Sequence, residues 1–223
     1  MKRLIVFLMF IFLLSANVVQ AAPAKPTLVK AKIEVTTNGS GIYTVKQQLS
    51  IDGASGIKDG KVEHLLSKIN NAQIDSLRIT TGNTPVTVER KVGTVLDKLY
   101  FDIAAGVDKL EYKVEYGVTL AKDVFTVPLL VPNYATTGKE LCVVIDYVGP
   151  RGTFVQENSF PEVHSPKGNS IESALANIPS HVSYVYADSP SSFFNPYNMI
   201  SVAVFCVLVA IIVKWIRTEI FKK

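Results

Sequence analysis

The feature that most restricts how this chain can fold is an apolar stretch near its C-terminus. From Met199 to Val213 the sequence carries no charge and leaves no polar face. A helix that is apolar on every side must lie in lipid or at the centre of a very large core. A chain of 223 residues has room for one domain, or two small ones, and so offers no such core. We therefore predict a transmembrane helix over residues 197–216.

Residues that flank this stretch predict how the helix lies in the membrane. Tyr197 and Trp215 would stand about 27 Å apart in a helix, which suits aromatic anchors at the two interfaces of a hydrocarbon layer about 30 Å thick. Lys214, Arg217 and the basic tail (217–223) follow, whereas the twenty residues before Tyr197 contain no Lys or Arg. The positive-inside rule predicts a cytoplasmic C-terminus and an extracytoplasmic body.

The N-terminus has the order of a secretory signal peptide. Lys2 and Arg3 precede an apolar run that ends at Leu14, which is too short to span a bilayer as a folded helix. We expect cleavage between Ala21 and Ala22, with an uncleaved N-terminal anchor as the alternative. The chain then divides into a signal peptide (1–21), an exported domain (22–188), a linker (189–196), the transmembrane helix and the tail.

Charge within the exported domain argues against one class of partner. Between Ala22 and Asn198 there are 17 basic and 18 acidic residues, so the basic excess of the whole chain comes from its two ends. This distribution gives no reason to expect nucleic-acid binding. It is consistent with a lipid bilayer and a membrane or cell-envelope protein as partners.

Alternation of apolar and charged residues predicts a domain built mostly from β-strands. From Leu110 to Val118 every second residue is apolar, and charged residues occupy most of the positions between them. The segment from Lys30 to Val35 alternates in the same way. The spacing of turn signals predicts an antiparallel β-sandwich-like fold of about eight strands.

Two segments in this β pattern have helical spacing. Val62, Leu65, Leu66 and Ile69 form an apolar stripe, which predicts a short helix with His64 at its surface or boundary. Asn169 with Glu172 resembles a capping box, so a second helix is expected to begin there and to stop before Pro179.

Cysteine usage predicts a domain that is stabilised by its core. Cys142 is the one cysteine of the exported domain, since Cys206 falls in the apolar stretch, and no disulfide can form within the domain. We expect a buried, inert Cys142 thiol.

The sequence carries no motif typical of an enzyme, and we predict neither a metal nor a cofactor. The segment with most functional promise runs from Gly149 to His181, because it is long, rich in proline and glycine, and weakly periodic. Within it a mixture of aromatic and charged side chains is typical of partner-binding surfaces. These residues are Arg151, Phe154, Glu157, Phe160, Glu162 and His164. The alternative is a long crossover connection between strands, in which Phe154 and Phe160 are buried in the core of the sandwich.

Three functional hypotheses follow. The first is a non-enzymatic, single-pass membrane protein whose extracytoplasmic β domain binds or scaffolds a membrane or envelope partner. The second is an anchored envelope hydrolase or carbohydrate-active enzyme that uses carboxylates near the 149–181 loop. The third is a cell-surface glycan-binding domain, which would lose its support if Tyr134, Phe154 and Phe160 were all buried.

Overall fold

The computed structural model describes residues 25–121, 124–137, 141–163, 168–190 and 196–220, with the side chains of 196–198, 219 and 220 outside the description. The expected signal peptide and its cleavage site at Ala21 and Ala22 lie outside the described residues, as does His164.

Strands account for most of the described body, as the alternating pattern predicts. They are β1 (Thr27–Thr37), β2 (Ile42–Asp52), β3 (Lys61–Ser67), β4 (Gln73–Thr81), β5 (Thr84–Val86), β6 (Glu89–Lys91), β7 (Leu96–Asp102), β8 (Lys109–Thr119), β9 (Thr126–Pro128), β10 (Leu130–Pro132), β11 (Ala135–Thr136), β12 (Val143–Val148), β13 (Phe154–Val155), β14 (Ser170–Leu175), β15 (His181–Ser183) and β16 (Tyr186–Ala187). Two short 3-10 turns lie at Ala54–Gly56 and Lys58–Gly60, and one α-helix, α1, spans Pro196–Ile220.

Two sheets form the body. The larger sheet has the order β14-β12-β1-β2-β8-β4-β5, with β11 beside the start of β1. The smaller sheet has the order β10-β3-β7-β6. Most neighbouring strands are antiparallel, but β11 and β12 run parallel to β1. Two small ladders, β13-β16 and β15-β9, complete the arrangement.

The sheets pack face to face and enclose one apolar core. Alternation places every second residue of β1, β2 and β8 on the inner face, where most of them are fully buried. The smaller sheet contributes Phe101 of β7, whose ring lies 5.2 Å from the ring of Tyr112 on β8. The fold is therefore β-sandwich-like, as predicted.

The prediction of two helices within the body is wrong. Residues 61–67 form strand β3, with Val62, His64 and Leu66 buried on its inner face. His64 is thus a core residue rather than a surface one, and it occupies an inward position in the two-residue period of this strand. Hydrogen bonding to both β7 and β10 holds the segment extended, which outweighs its helical spacing.

The second expected helix is strand β14, which pairs along its whole length with β12. Ile171, Ser173 and Leu175 are half-buried while the alternate residues are exposed, which is a strand pattern. Pairing with β12 outweighs the local capping signal of Asn169 and Glu172.

The apolar stretch forms α1, as predicted. Met199–Thr218 has a mean hydropathy of 2.7, and none of it is buried against the body. At about 1.5 Å per residue, a span of this length matches a hydrocarbon layer about 30 Å thick. The described residues therefore contain one helix that is long and apolar enough to cross a membrane.

Cys142 is buried, as expected, and carries a free thiol. Its Sγ donates a hydrogen bond to the carbonyl oxygen of Ala176, 3.4 Å away. Cys206 lies on α1 and is exposed.

Gln47 is a polar exception in the core and leads to the first stability prediction. It lies on the inner face of β2, fully buried, and within the described part of the chain neither of its amide atoms has a hydrogen-bond partner. Burying an unsatisfied amide costs free energy, so Gln47→Leu is expected to raise the free energy of unfolding by about 1–2 kcal/mol. Urea unfolding of the full chain in detergent measures the change. Gln48→Leu, on the exposed face of the same strand, serves as the control and should change stability by less than about 0.5 kcal/mol. A destabilised Gln47→Leu variant would contradict the prediction.

Candidate binding cleft

An open cleft of about 730 Å³ lies over the outer face of the smaller sheet. Charged and aromatic side chains from distant parts of the sequence line it. The lining residues are Lys25, Pro26, Gly56, Ile57, Lys58, Asp59, Lys61, Glu63, Glu89, Lys91, Tyr100, Asn133 and Tyr134. We refer to it as the tyrosine cleft.

Strand register brings the central residues of the tyrosine cleft together. Tyr100 on β7 pairs with Glu63 on β3 and, on its other side, with Glu89 on β6. Directly opposed residues project from the same face of a sheet. One tyrosine is therefore flanked by a carboxylate on each side, and Lys61 and Lys91 lie two positions from those carboxylates along the same strands.

Ion pairs neutralise the carboxylates on this face. Lys61 Nζ lies 3.1 Å from Glu89 Oε2, and Lys98 Nζ lies 2.9 Å from Glu63 Oε1. The Lys61 ammonium lowers the pKa of Glu89, and Glu89 in turn raises the pKa of Lys61. Lys61 and Glu89 are solvent-exposed, whereas Glu63 is half-buried. The Lys61–Glu89 pair therefore contributes little to stability and can exchange its partner for a polar ligand.

Two tyrosines provide aromatic surface in the cleft. The Nζ of Lys91 lies 5.0 Å from the ring centre of Tyr100, at cation–π distance. Tyr134 is half-buried, and its hydroxyl oxygen accepts a hydrogen bond from the Glu63 amide at 3.3 Å. Burial raises the pKa of Tyr134, so its hydroxyl stays protonated at neutral pH. The cleft thus combines ring faces with ammonium and carboxylate groups, which suits a polar ligand that also has an apolar face.

A second cavity, of about 520 Å³, lies over the outer face of the larger sheet. Three carboxylates meet there in one row, because Glu34 of β1 pairs with Asp146 of β12, and Asp146 pairs with Glu172 of β14. Lys32 Nζ contacts both Glu34 and Asp146, at 3.3 and 3.2 Å. The row is therefore partly neutralised by a neighbouring cation.

The described residues of the predicted partner-binding loop lie at or near the surface, and none of them lines the tyrosine cleft. Arg151, Glu157, Phe160 and Glu162 are exposed, and Phe154 is half-buried in β13. The ring of Phe160 is 46% exposed and lies 5.3 Å from the ring of His181. Tyr134 and Phe154 are half-buried, so the three aromatic residues that a glycan site would need are not all enclosed.

The predicted membrane anchors lie on α1. Trp215 is 64% exposed, and Lys214 and Arg217 are exposed as well. Tyr197 lies within the helix, but its side chain falls outside the described residues.

The sequence did not point to the tyrosine cleft. Its central residue, Tyr100, lies on β7, and Lys61 and Glu63 flank Val62, the first residue of the apolar stripe that predicts a helix. The face exists only because β3, β7 and β6 pair with one another. Charge alternation along Lys61, Val62 and Glu63 was the available signal, and it indicates a strand rather than a helix.

No group of three or more His, Cys, Asp or Glu residues within the described ranges is arranged to hold a metal ion. His64 is enclosed by the core, and its Nε2 forms a hydrogen bond with the hydroxyl of Tyr112 at 2.9 Å.

Comparison with known proteins finds only weak structural likenesses. No family model matches the sequence, and no curated protein matches it. Among solved structures, an aminopeptidase N family protein from Idiomarina loihiensis aligns with a TM-score of 0.46 and 9% identity, over 70% of this chain and 28% of that one. Native LTA4 hydrolase from yeast aligns with a TM-score of 0.45 and 8% identity, over 72% of this chain and 29% of that one. A candidate nutrient-binding protein from Legionella pneumophila has a TM-score of 0.47 and 8% identity, over 74% of this chain and 68% of that one.

The chain thus spans less than a third of the aminopeptidase and hydrolase structures that it resembles. These weak likenesses assign neither an activity nor a ligand to it.

Proposed function

We propose that this chain is a membrane-anchored binding protein. Its β-sandwich would lie outside the cytoplasmic membrane and bind a membrane or cell-envelope partner through the tyrosine cleft. The observation that carries the proposal is the combination, in one chain, of a sandwich with an open charged and aromatic cleft and an apolar helix that no part of the body covers.

The orientation in this proposal comes from the two ends of the chain. The signal-peptide pattern before Ala22 supports export of the body. Lys214, Arg217 and the basic tail support a cytoplasmic C-terminus, which gives a single-pass type I topology. Confinement to a membrane raises the local concentration of a protein for partners in the same membrane, so modest intrinsic affinity is sufficient.

Binding through the tyrosine cleft predicts a specific loss on mutation. Tyr100→Ala combined with Lys61→Ala removes the central ring and one flanking cation, and is expected to weaken partner capture at least tenfold, or about 1.4 kcal/mol, as at other interface hot spots. Quantitative cross-linking and co-purification from detergent extracts of intact membranes measures the change. Lys46→Ala, on the exposed face of β2, is the matched control and should leave capture unchanged. Equal capture by the cleft variant and the control would reject the cleft as the binding site.

A glycan is the second candidate for the ligand of this cleft. Tyr100 and Tyr134 present ring surface beside Glu63, Glu89 and Lys91, and sugars bind to aromatic faces with polar groups at their edges. Binding of envelope polysaccharides by the wild-type chain, lost in Tyr100→Ala and retained in Lys46→Ala, would favour this ligand over a protein.

The anchored hydrolase remains an alternative prediction. Glu157 and Glu162, two carboxylates of the 149–181 loop, do not line the clefts described above. Glu172 of the same segment does, beside Asp146. Loss of a measured hydrolytic activity in Asp146→Asn and Glu172→Gln would support this alternative.

A further inference from the structure

The turn between β6 and β7, residues 92–95, displays two valines to solvent. Val92 and Val95 are 73% and 74% exposed, the highest values among the large hydrophobic residues that the structure describes. The large hydrophobic side chains that the structure describes on α1 are less exposed than these two valines. Two aliphatic side chains on one turn are a small apolar surface with no cover from the body. We call this turn the valine tip.

A fully buried carboxylate holds the valine tip in place. Asp97 Oδ2 accepts hydrogen bonds from Arg90 at 2.9 and 2.6 Å, and Oδ1 accepts one from the Gly93 amide at 3.1 Å. Lys68 Nζ contacts the same carboxylate at 3.3 Å and donates to the Gly93 carbonyl at 2.6 Å. The turn is therefore tied to the sheet and to β3, which keeps the valines from folding back onto the body.

Close packing adds a second constraint at Gly93. A Cβ atom at this position would collide with the carbonyl oxygen of Leu96. Position 93 therefore accepts only glycine in this backbone conformation. The same conformation directs Val92 and Val95 towards solvent.

Strand register locates the valine tip at one end of the sandwich. The amide of Lys68, just after β3, donates a hydrogen bond to the carbonyl of Val95 at 3.0 Å. Shortly afterwards β4 begins at Gln73, which pairs with Thr119, and Thr119 pairs with Ile42. The tip thus belongs to the end at which β2 begins and β8 finishes.

The chain leaves the body at this same end. Tyr186, close to the last described residues of the body, lines a cavity together with Gly41 and Tyr43 at the start of β2. Ser189 is held nearby, since its carbonyl accepts a hydrogen bond from Gln156 Nε2 at 2.9 Å.

Few residues separate this end from the apolar helix. Pro190 and the first residue of α1, Pro196, are six positions apart in the sequence, and at about 3.5 Å per residue they can be at most about 21 Å apart. The end that carries the valine tip is therefore the part of the body held closest to the membrane. Ile42 and Val148, 53% and 43% exposed, add aliphatic surface there.

Charge around the valine tip favours a lipid surface over an apolar protein groove. Lys68 and Arg90 share one carboxylate, Asp97, which leaves a positive charge in excess. Lys91, beside Val92, has a 64% exposed side chain, which contacts Glu89 at 3.7 Å and the Tyr100 ring at cation–π distance. Aliphatic side chains flanked by lysine and arginine are typical of elements that enter the interfacial region beneath anionic headgroups.

We propose that the valine tip is a membrane-contact element, which inserts Val92 and Val95 into the interface of the bilayer that holds α1, while Lys68, Arg90 and Lys91 face lipid phosphates. This inference rests on the anchoring in the proposed function but not on the tyrosine cleft. The body then rests on the membrane through one defined end rather than swinging on its linker.

Fluorescent labelling of the full chain tests the contact. In a Cys206→Ser background, Val95→Cys is labelled with an environment-sensitive fluorophore, and the chain is reconstituted into phosphatidylcholine vesicles with and without phosphatidylglycerol. Leu141→Cys is the matched control, because Leu141 is aliphatic, 66% exposed and precedes β12 at the other end of the larger sheet. We expect quenching by spin-labelled lipid to be several-fold stronger at position 95 than at 141, and to weaken without phosphatidylglycerol.

Four outcomes are distinguishable. The membrane attachment of each variant is measured separately by whether the chain sediments with the vesicles after a carbonate wash. Strong quenching at position 95 in a chain that still sediments with the vesicles supports the proposal. Equal, weak quenching at both positions in a carbonate-resistant chain overturns the membrane contact and leaves the anchoring intact. Release of the chain by carbonate overturns the anchoring and the contact together. Cross-linking of position 95 to a protein in native membranes, without quenching in vesicles, overturns the lipid assignment in favour of a protein partner.

Discussion

Asp97→Ala is expected to lower the free energy of unfolding by about 2–3 kcal/mol, because it leaves Arg90, Lys68 and the Gly93 amide without their common acceptor. The Asp97 carboxylate is fully buried, whereas Lys68 and Arg90 are partly exposed and can be hydrated when the carboxylate is removed. The expected loss of stability is therefore small for a broken buried ion pair. Urea unfolding of the full chain in detergent measures it.

The neighbouring acid provides the control for Asp97. Asp102 ends the same strand and is exposed, so Asp102→Ala should change stability by less than about 0.5 kcal/mol. Burial alone would raise the pKa of Asp97, but hydrogen bonds from Arg90, Gly93 and Lys68 outweigh it and hold the pKa below its ordinary 3.8. The stabilisation is therefore present above that value and is lost as the pH falls through the lowered pKa. Similar losses in both variants would contradict the role assigned to Asp97.

The second large effect is expected from His64 in mild acid. Desolvation in the core lowers the pKa of His64 from 6.5 to about 3, so the folded chain keeps this imidazole neutral. The unfolded chain takes up a proton below 6.5, which makes the unfolded state more favourable as the pH falls. Between about pH 7 and pH 5, His64 alone is expected to cost about 2 kcal/mol of stability, rising further towards the folded pKa.

Two substitutions separate this titration from the hydrogen bond that His64 makes. His64→Gln retains a partner for the Tyr112 hydroxyl but cannot titrate, so its unfolding free energy should change little between these pH values. Tyr112→Phe removes the 2.9 Å hydrogen bond and keeps the histidine, so it should lose stability overall while retaining the pH dependence. If His64→Gln is as acid-sensitive as the wild type, His64 is not the group responsible.

His64 also illustrates how far the sequence predicts this fold. Strands β1, β2 and β8 could be predicted because apolar side chains alternate with charged or polar ones along most of their length. In β3 the residues that face the core are Val62, His64 and Leu66. A histidine in the middle position interrupts the alternation of apolar and polar residues that predicts a strand. Its burial depends on the Tyr112 hydroxyl from the opposite sheet, which no local pattern can supply.

Short strands and sites built from several strands were less accessible from the sequence. β6 has three residues, Glu89–Lys91, all of them exposed, and becomes a strand only through pairing with β7. The tyrosine cleft depends on that pairing, because it places Glu89 beside Tyr100. The 149–181 segment attracted attention by its composition, yet β14 in its middle is an ordinary edge strand of the larger sheet. The apolar helix, in contrast, depends on local composition alone and was predicted.

The most direct test of the central claim is protease treatment of sealed cells that express the full chain. The membranes are then washed with carbonate, and the C-terminal fragment is followed through both steps. A body held outside the membrane by α1 predicts digestion of the sandwich without lysis and a protected fragment, containing Met199–Thr218, that stays with the lipid. A sandwich that survives until the cells are opened, or a chain that carbonate washes into the supernatant, would contradict the account.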